Sequence, residues 1–197
     1  MRPNPLADVL SFLFQPGWPT AVFWLLLAGG FGFAWLDLRR FPGQRTPRDG
    51  GRFLLRLLVG IMWWQQSLWK IPPDYGGLQH WMQEMVDHAS TGLQSSLVRD
   101  YVLPNIAVFG PLVYAVEVSI GVSLMLGLFT RAFSFLGALM AINLWLGLYS
   151  APGEWPWTYF FLLVIQSLFV IDPPGLSLGA DLLVARRGFP LRRALAG

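Results

Sequence analysis

The chain predicts an all-α polytopic membrane protein, and three observations carry that expectation. Hydrophobic residues make up 54% of the 197 positions and charged residues only 13%, against about 25% charged in an ordinary soluble domain. Several uninterrupted apolar windows approach the roughly 20 residues that a helix needs to cross a hydrocarbon core of about 30 Å. The alternating pattern of a membrane β-barrel strand is missing from these windows.

Taken in order, five segments read as spanning helices. The first, 18–36, contains no charge. The second, 53–71, carries Arg56 near its start and Lys70 near its end. The third, 105–129, contains the lone carboxylate Glu117, and the fourth and fifth cover 132–149 and 155–171. Trp18, Trp35, Trp69, Trp155 and Trp157 lie at segment ends, the place of an interfacial aromatic belt. The opening "MRPNPLADVLSFLFQPGWPT" has no small-residue cleavage site after a short apolar core and does not read as a signal peptide.

Loop charge sets the expected orientation. "DLRRFPGQRTPRDGGR", the turn at Arg131 and the tail "ARRGFPLRRALAG" are rich in arginine, whereas 72–103 has one arginine and four acids. Arginine-rich loops stay in the cytoplasm, which puts the N-terminus out and the C-terminus in. The positive net charge of +3 is thereby explained by topology, and no nucleic-acid partner is expected.

Within the outer segment, "GLQHWMQEMVDHAS" places Leu78, Trp81, Met82, Met85, Val86 and Ala89 at helical spacing. The expectation is a short amphipathic helix lying on the membrane surface or capping the bundle. His80, Glu84 and His88 share its polar side in an H-x3-E-x3-H spacing that matches no closed zinc motif, so a solvated face is expected and no metal.

Counting inward at 1.5 Å per residue puts Glu117 and Gln66 each about 14 residues, roughly 21 Å, from the cytoplasmic ends of their helices, and Asn143 about 12 residues, roughly 18 Å. Three helices therefore contribute to one polar layer. Ionisable groups at such depth face a bundle interior and pair there. Lys70, the only lysine in the chain, lies one turn beyond Gln66. A Lys70–Glu117 pair supported by Gln66 and Asn143 follows as the expectation, with both charged groups as candidate catalytic residues. The alternative is that Lys70 snorkels outward and the amides act as interhelical glue. The aromatic run "MWWQQSLWK" adds Trp63 and Trp69 as candidates for lining a quinone site, and Arg131 sits at the inner interface.

There is no cysteine, and no histidine falls within the five apolar segments, so thiolate-held metals and a bis-histidine haem in the bundle are unsupported. No phosphate loop, dinucleotide fingerprint or nucleophile elbow occurs. Any redox role needs a diffusible cofactor such as a quinone, or a partner's.

"RFLLRLLVGIMWWQQSLWKI", "VEVSIGVSLMLGLFTR" and "LSLGADLLVARR" resemble, in order and spacing, segments of the DoxX/DoxD family of integral membrane proteins. The resemblance implies a four-helix membrane bundle over 52–187 with its outer loop at 72–103. It is preceded by an extra helix and Arg-rich loop at 1–51 and followed by a cytoplasmic tail at 188–197. The DoxD branch is associated with thiosulfate:quinone oxidoreductase, where it works beside a second subunit. The resemblance therefore implies a subunit in a prokaryotic inner membrane with a diffusible quinone as partner, and Lys70, Glu117 and Arg131 as functional positions. A non-catalytic scaffold of a larger membrane complex is the competing expectation.

Overall fold

Capping and turn residues decide where the helices begin and end. A computed structural model of the protein describes residues 4–186, and within them the fold is all-helical, with no strand. The expected tail at 188–197 lies outside the described residues. Helix α1, Pro5–Phe14, starts where the Asn4 side chain accepts from the backbone N–H groups of Leu6 and Ala7, satisfying donors that a helix start leaves open. After a break at Gln15–Gly17, α2 runs from Trp18 to Arg40. Phe12 of α1 meets the Phe23 ring of α2 edge-on.

Helix α3, Pro47–Ser67, opens with a reciprocal capping box in which Thr46 Oγ1 accepts from Asp49 N and the Asp49 carboxylate accepts from Thr46 N. The box starts the helix six residues before the expected Phe53. A 3-10 turn, Leu68–Lys70, continues it. The segment 72–103 folds in part into α4, Gly76–His88, and α5, Gly92–Leu97. A π-helical turn at Val98–Val102 and a 3-10 turn at Leu103–Asn105 lead into α6, Ile106–Leu126. Gly127, with φ of 70°, ends α6 in the left-handed conformation that only glycine adopts without cost. Helices α7, Thr130–Gly147, and α8, Pro156–Ile171, follow, and the tandem prolines after Asp172 stop α8. A short α9, Ala180–Arg186, folds back underneath.

Packing pairs α3 with α6 and α7 with α8, with α6 also against α7 and α2 against α6. The α3–α6 approach is backbone-close. A Cβ at Gly60 would lie 2.9 Å from Met125 N, and one at Gly121 would lie 3.0 Å from Trp64 N. Small residues at such crossings replace the hydrophobic drive that lipid does not supply. Trp63, Ile120, Leu124 and Phe169 fill the centre between α3, α6 and α8.

Two stretches are long and apolar enough to cross a membrane: α2, and the continuous helical run Gly92–Leu126 that ends in α6. Helix α8 is equally apolar but has 16 residues. Large apolar side chains such as Leu25, Leu168 and Ile171 point outward, each more than half exposed. That surface suits lipid and not water.

At the end of the bundle where α6 turns into α7, polar groups are buried in a hub. Asp181 of α9 accepts from Phe129 N at 2.6 Å, Thr130 N at 2.9 Å and Thr130 Oγ1 at 2.6 Å. Arg56 is fully buried and donates to the main-chain carbonyls of Leu124, Met125 and Leu178, with the buried Asp37 of α2 beside it. Ser177 donates to Asp49 at 3.0 Å. Partial burial pushes the Asp49 carboxyl up, and hydrogen bonds from Thr46 and Ser177 bring it below the ordinary carboxylate value.

Candidate functional site

The far end of the bundle from that hub holds a cavity of about 780 Å³, within the range of pockets that take small organic ligands. Its walls come from α3, α4, α6, α7 and α8 and are mostly apolar. Helix α4 forms one wall through Leu78, Met82 and Met85, which are buried, while Gln79, His80 and Gln83 lie on its outer side. The expected amphipathic helix is therefore present, and it caps the cavity. Its C-terminal end is fastened to the end of α7: Ser90 N donates to Leu146 O at 2.8 Å, and Ser150 Oγ donates to His88 O at 2.9 Å.

Lys70 and Glu117 meet on the cavity wall. Lys70 Nζ donates to Glu117 Oε2 at 2.5 Å, and the two residues are only 6% and 2% exposed. The ammonium also donates to the Gln66 main-chain carbonyl at 3.2 Å and lies 4.3 Å from the centre of the Trp69 ring. That carbonyl belongs to the last turn of α3, where helix carbonyls lack partners and a cation is favoured. The 3-10 turn after Ser67 keeps Lys70 on the bundle side of the helix end. Snorkelling outward is thus not the observed geometry.

The remaining expected residues divide. Trp63, Gln66, Trp69 and Asn143 all line the cavity with the charged pair, so the polar layer inferred from depth is assembled in one place. The two amides do not, however, support the pair through their side chains. Gln66 bonds to Gln65 and Trp69, and Asn143 Oδ1 accepts from Gln94 of α5 at 2.7 Å. Their nearest donors and acceptors lie on neighbouring residues or on α5, and these capture them first. Arg131 is not brought to the cavity. It occupies the first turn of α7, about 12 residues and roughly 18 Å along the axis from Asn143, and donates from Nε to Val170 O at 3.1 Å, a carbonyl in the last turn of α8.

On α4 His88 Nε2 lies 3.4 Å from Glu84 Oε2, while His80 packs against Trp81. Among the described residues no group of three or more histidines or acids is placed to hold a metal ion. One polar pair escaped the sequence reading. Tyr159 Oη of α8 donates to Glu154 Oε2 at 2.6 Å, and both residues line the cavity. The available signal was an acid in a short turn, five residues before a tyrosine on the following helix.

Among the lining residues the charged groups are Lys70, Glu117 and Glu154, one cation against two carboxylates. With the cation already bound to one carboxylate, the cavity offers a neutral wall and an acidic one. A small inorganic anion finds no uncompensated positive charge here, whereas a neutral lipophilic molecule with hydrogen-bonding groups finds both apolar surface and polar partners.

No curated protein and no solved structure matches the chain. A family model, DoxX, matches residues 51–150, which takes in most of α3, all of α4 to α7, the Lys70–Glu117 pair and the capping helix. The chain, a membrane protein by its apolar helices, belongs to the DoxX family.

Proposed function

We propose that this protein is the membrane subunit of a quinone-linked oxidoreductase, similar to the DoxD subunit of thiosulfate:quinone oxidoreductase. The observation that supports it most is the large apolar cavity with a buried ion pair on its wall. Such a cavity suits a flat, neutral, membrane-soluble quinone, entering from lipid or past α4. Glu117 and Lys70 would hold and pass a proton at the ring oxygen nearest them, while Trp63, Gln66, Trp69 and Asn143 shape the rest of the site. Reduction of a quinone takes two electrons and two protons. The electrons would come from a reduced sulfur compound oxidised on a second subunit, because the cavity's charge disfavours an anionic donor.

In this reading α2, α3, α6, α7 and α8 span a prokaryotic inner membrane as a four-helix bundle plus one N-terminal helix. The N-terminus is outside, and the cavity faces the outer leaflet. The test is quinone reduction with thiosulfate by the purified protein reconstituted with its partner. Glu117→Gln and the double variant Lys70→Met/Glu117→Gln are expected to lose at least tenfold in rate, in line with removal of a positioned proton donor. Full activity in both would leave the scaffold role as the explanation for the protein's presence in such a complex.

A further inference from the structure

The Glu154–Tyr159 pair has no part in the proton chemistry above, yet it shares the cavity with Lys70 and Glu117. Each group's hydrogen-bonding capacity can be followed. Lys70 has three N–H donors, of which Glu117 and the Gln66 carbonyl take two. Glu117 accepts from Lys70 through Oε2, and among the described residues no donor is placed on its Oε1. The wall made by α3 and α6 can therefore both donate and accept, and it tolerates either a carbonyl or a hydroxyl on a ligand.

The wall made by the α7–α8 turn and α8 is different. Tyr159 spends its one proton on Glu154. What remains on both residues is oxygen lone pairs, which accept and do not donate. Thr158, which also lines the cavity, has a hydroxyl that turns either way and adds no bias. A ligand carbonyl at this wall would face a carboxylate, whereas a ligand hydroxyl would be held by it.

We propose that Glu154, oriented by Tyr159, is a specificity-determining residue that makes the cavity bind the reduced, hydroxyl-bearing form of its ligand more tightly than the oxidised form. The inference rests on the reading of the cavity as a quinone site and adds direction to it. Binding the reduced form more tightly makes the bound oxidised form easier to reduce. A tenfold preference raises its two-electron potential by about 30 mV.

The experiment measures calorimetric affinities of the purified full-length protein in detergent. The ligands are a 1,4-benzoquinone bearing a decyl tail and its two-electron, two-proton reduced hydroquinone, held anaerobically. The wild-type protein is expected to favour the hydroquinone by about tenfold, the scale of one hydrogen bond to a charged group. Glu154→Gln introduces an amide that donates to a carbonyl as readily as it accepts, and it should bring the two affinities within about twofold. Tyr159→Phe leaves the carboxylate but releases it, and should narrow the preference without reversing it. Glu154 lies in a turn and is only partly buried, so these variants retain the fold, which thermal unfolding checks. Equal wild-type affinities, or a preference that survives Glu154→Gln, overturn the proposal. Binding of neither form overturns the quinone reading itself, a separate and recognisable outcome.

Discussion

At the scale of single residues, the Lys70–Glu117 pair has an energetic signature that follows from its burial. Removing one partner leaves the other charge buried and uncompensated, whereas removing both leaves an apolar-compatible site. Lys70→Met alone should therefore lower stability in detergent by about 3–5 kcal/mol, and adding Glu117→Gln should recover most of that loss. Denaturant unfolding of the two single variants and the double variant checks this; additive losses would show that the pair is not coupled. The pair was legible in the sequence because both charges interrupt apolar runs, where an ionisable group is conspicuous. Asp181 and Glu154 were not, since each follows a helix end in a stretch of prolines and glycines, where a charged residue is ordinary. Asp181 in fact accepts three hydrogen bonds from the α6–α7 turn. Its importance comes from chain return, and neighbours in sequence do not reveal it.

At the scale of elements, the α3–α6 contact positions the pair, because it brings Lys70 at the end of one helix to the middle of the other. The contact is set by Gly60 and Gly121, whose missing side chains let the backbones approach. A methyl group at Gly60 would lie 2.9 Å from a main-chain nitrogen, which cannot yield as a flexible side-chain end can. Gly60→Ala should thus destabilise by about 1–3 kcal/mol and move Lys70 relative to Glu117. Gly32→Ala, where nothing lies within 4 Å, should be close to neutral. Comparing their thermal unfolding separates close approach from any general intolerance of alanine. The long helices were readable from apolar length, and α4 from its stripe, since both signals repeat along the chain. Helix α1 is a different case: it has 10 residues and its apolar residues run on toward those of α2, so only the break at Gln15–Gly17 separates the two.

For the whole molecule, the fold places two polar assemblies at opposite ends of the helices. Lys70 and Glu117 line an accessible cavity under α4, whereas Arg56, Asp37 and Asp181 form a closed hub under α9. The cavity itself could not be read from the sequence, because α4, α6, α7 and α8 come together only through tertiary packing. In the proposed orientation, arginine distribution is what gives each end a side of the membrane. Arg39, Arg40, Arg45 and Arg48 surround the hub end, and Glu154 marks the cavity end. A chain without cysteine is suited to testing this by single substitutions. Gly43, exposed with nothing within 4 Å of an added Cβ, reports on the hub end, and the exposed Pro152 reports on the cavity end. With an N-out, C-in arrangement, a membrane-impermeant maleimide should label Pro152→Cys in intact cells and reach Gly43→Cys only after permeabilisation. The reverse pattern would put the cavity toward the cytoplasm. On the proposed quinone reading, a donor subunit that docks where the cavity opens would then sit on the inner face.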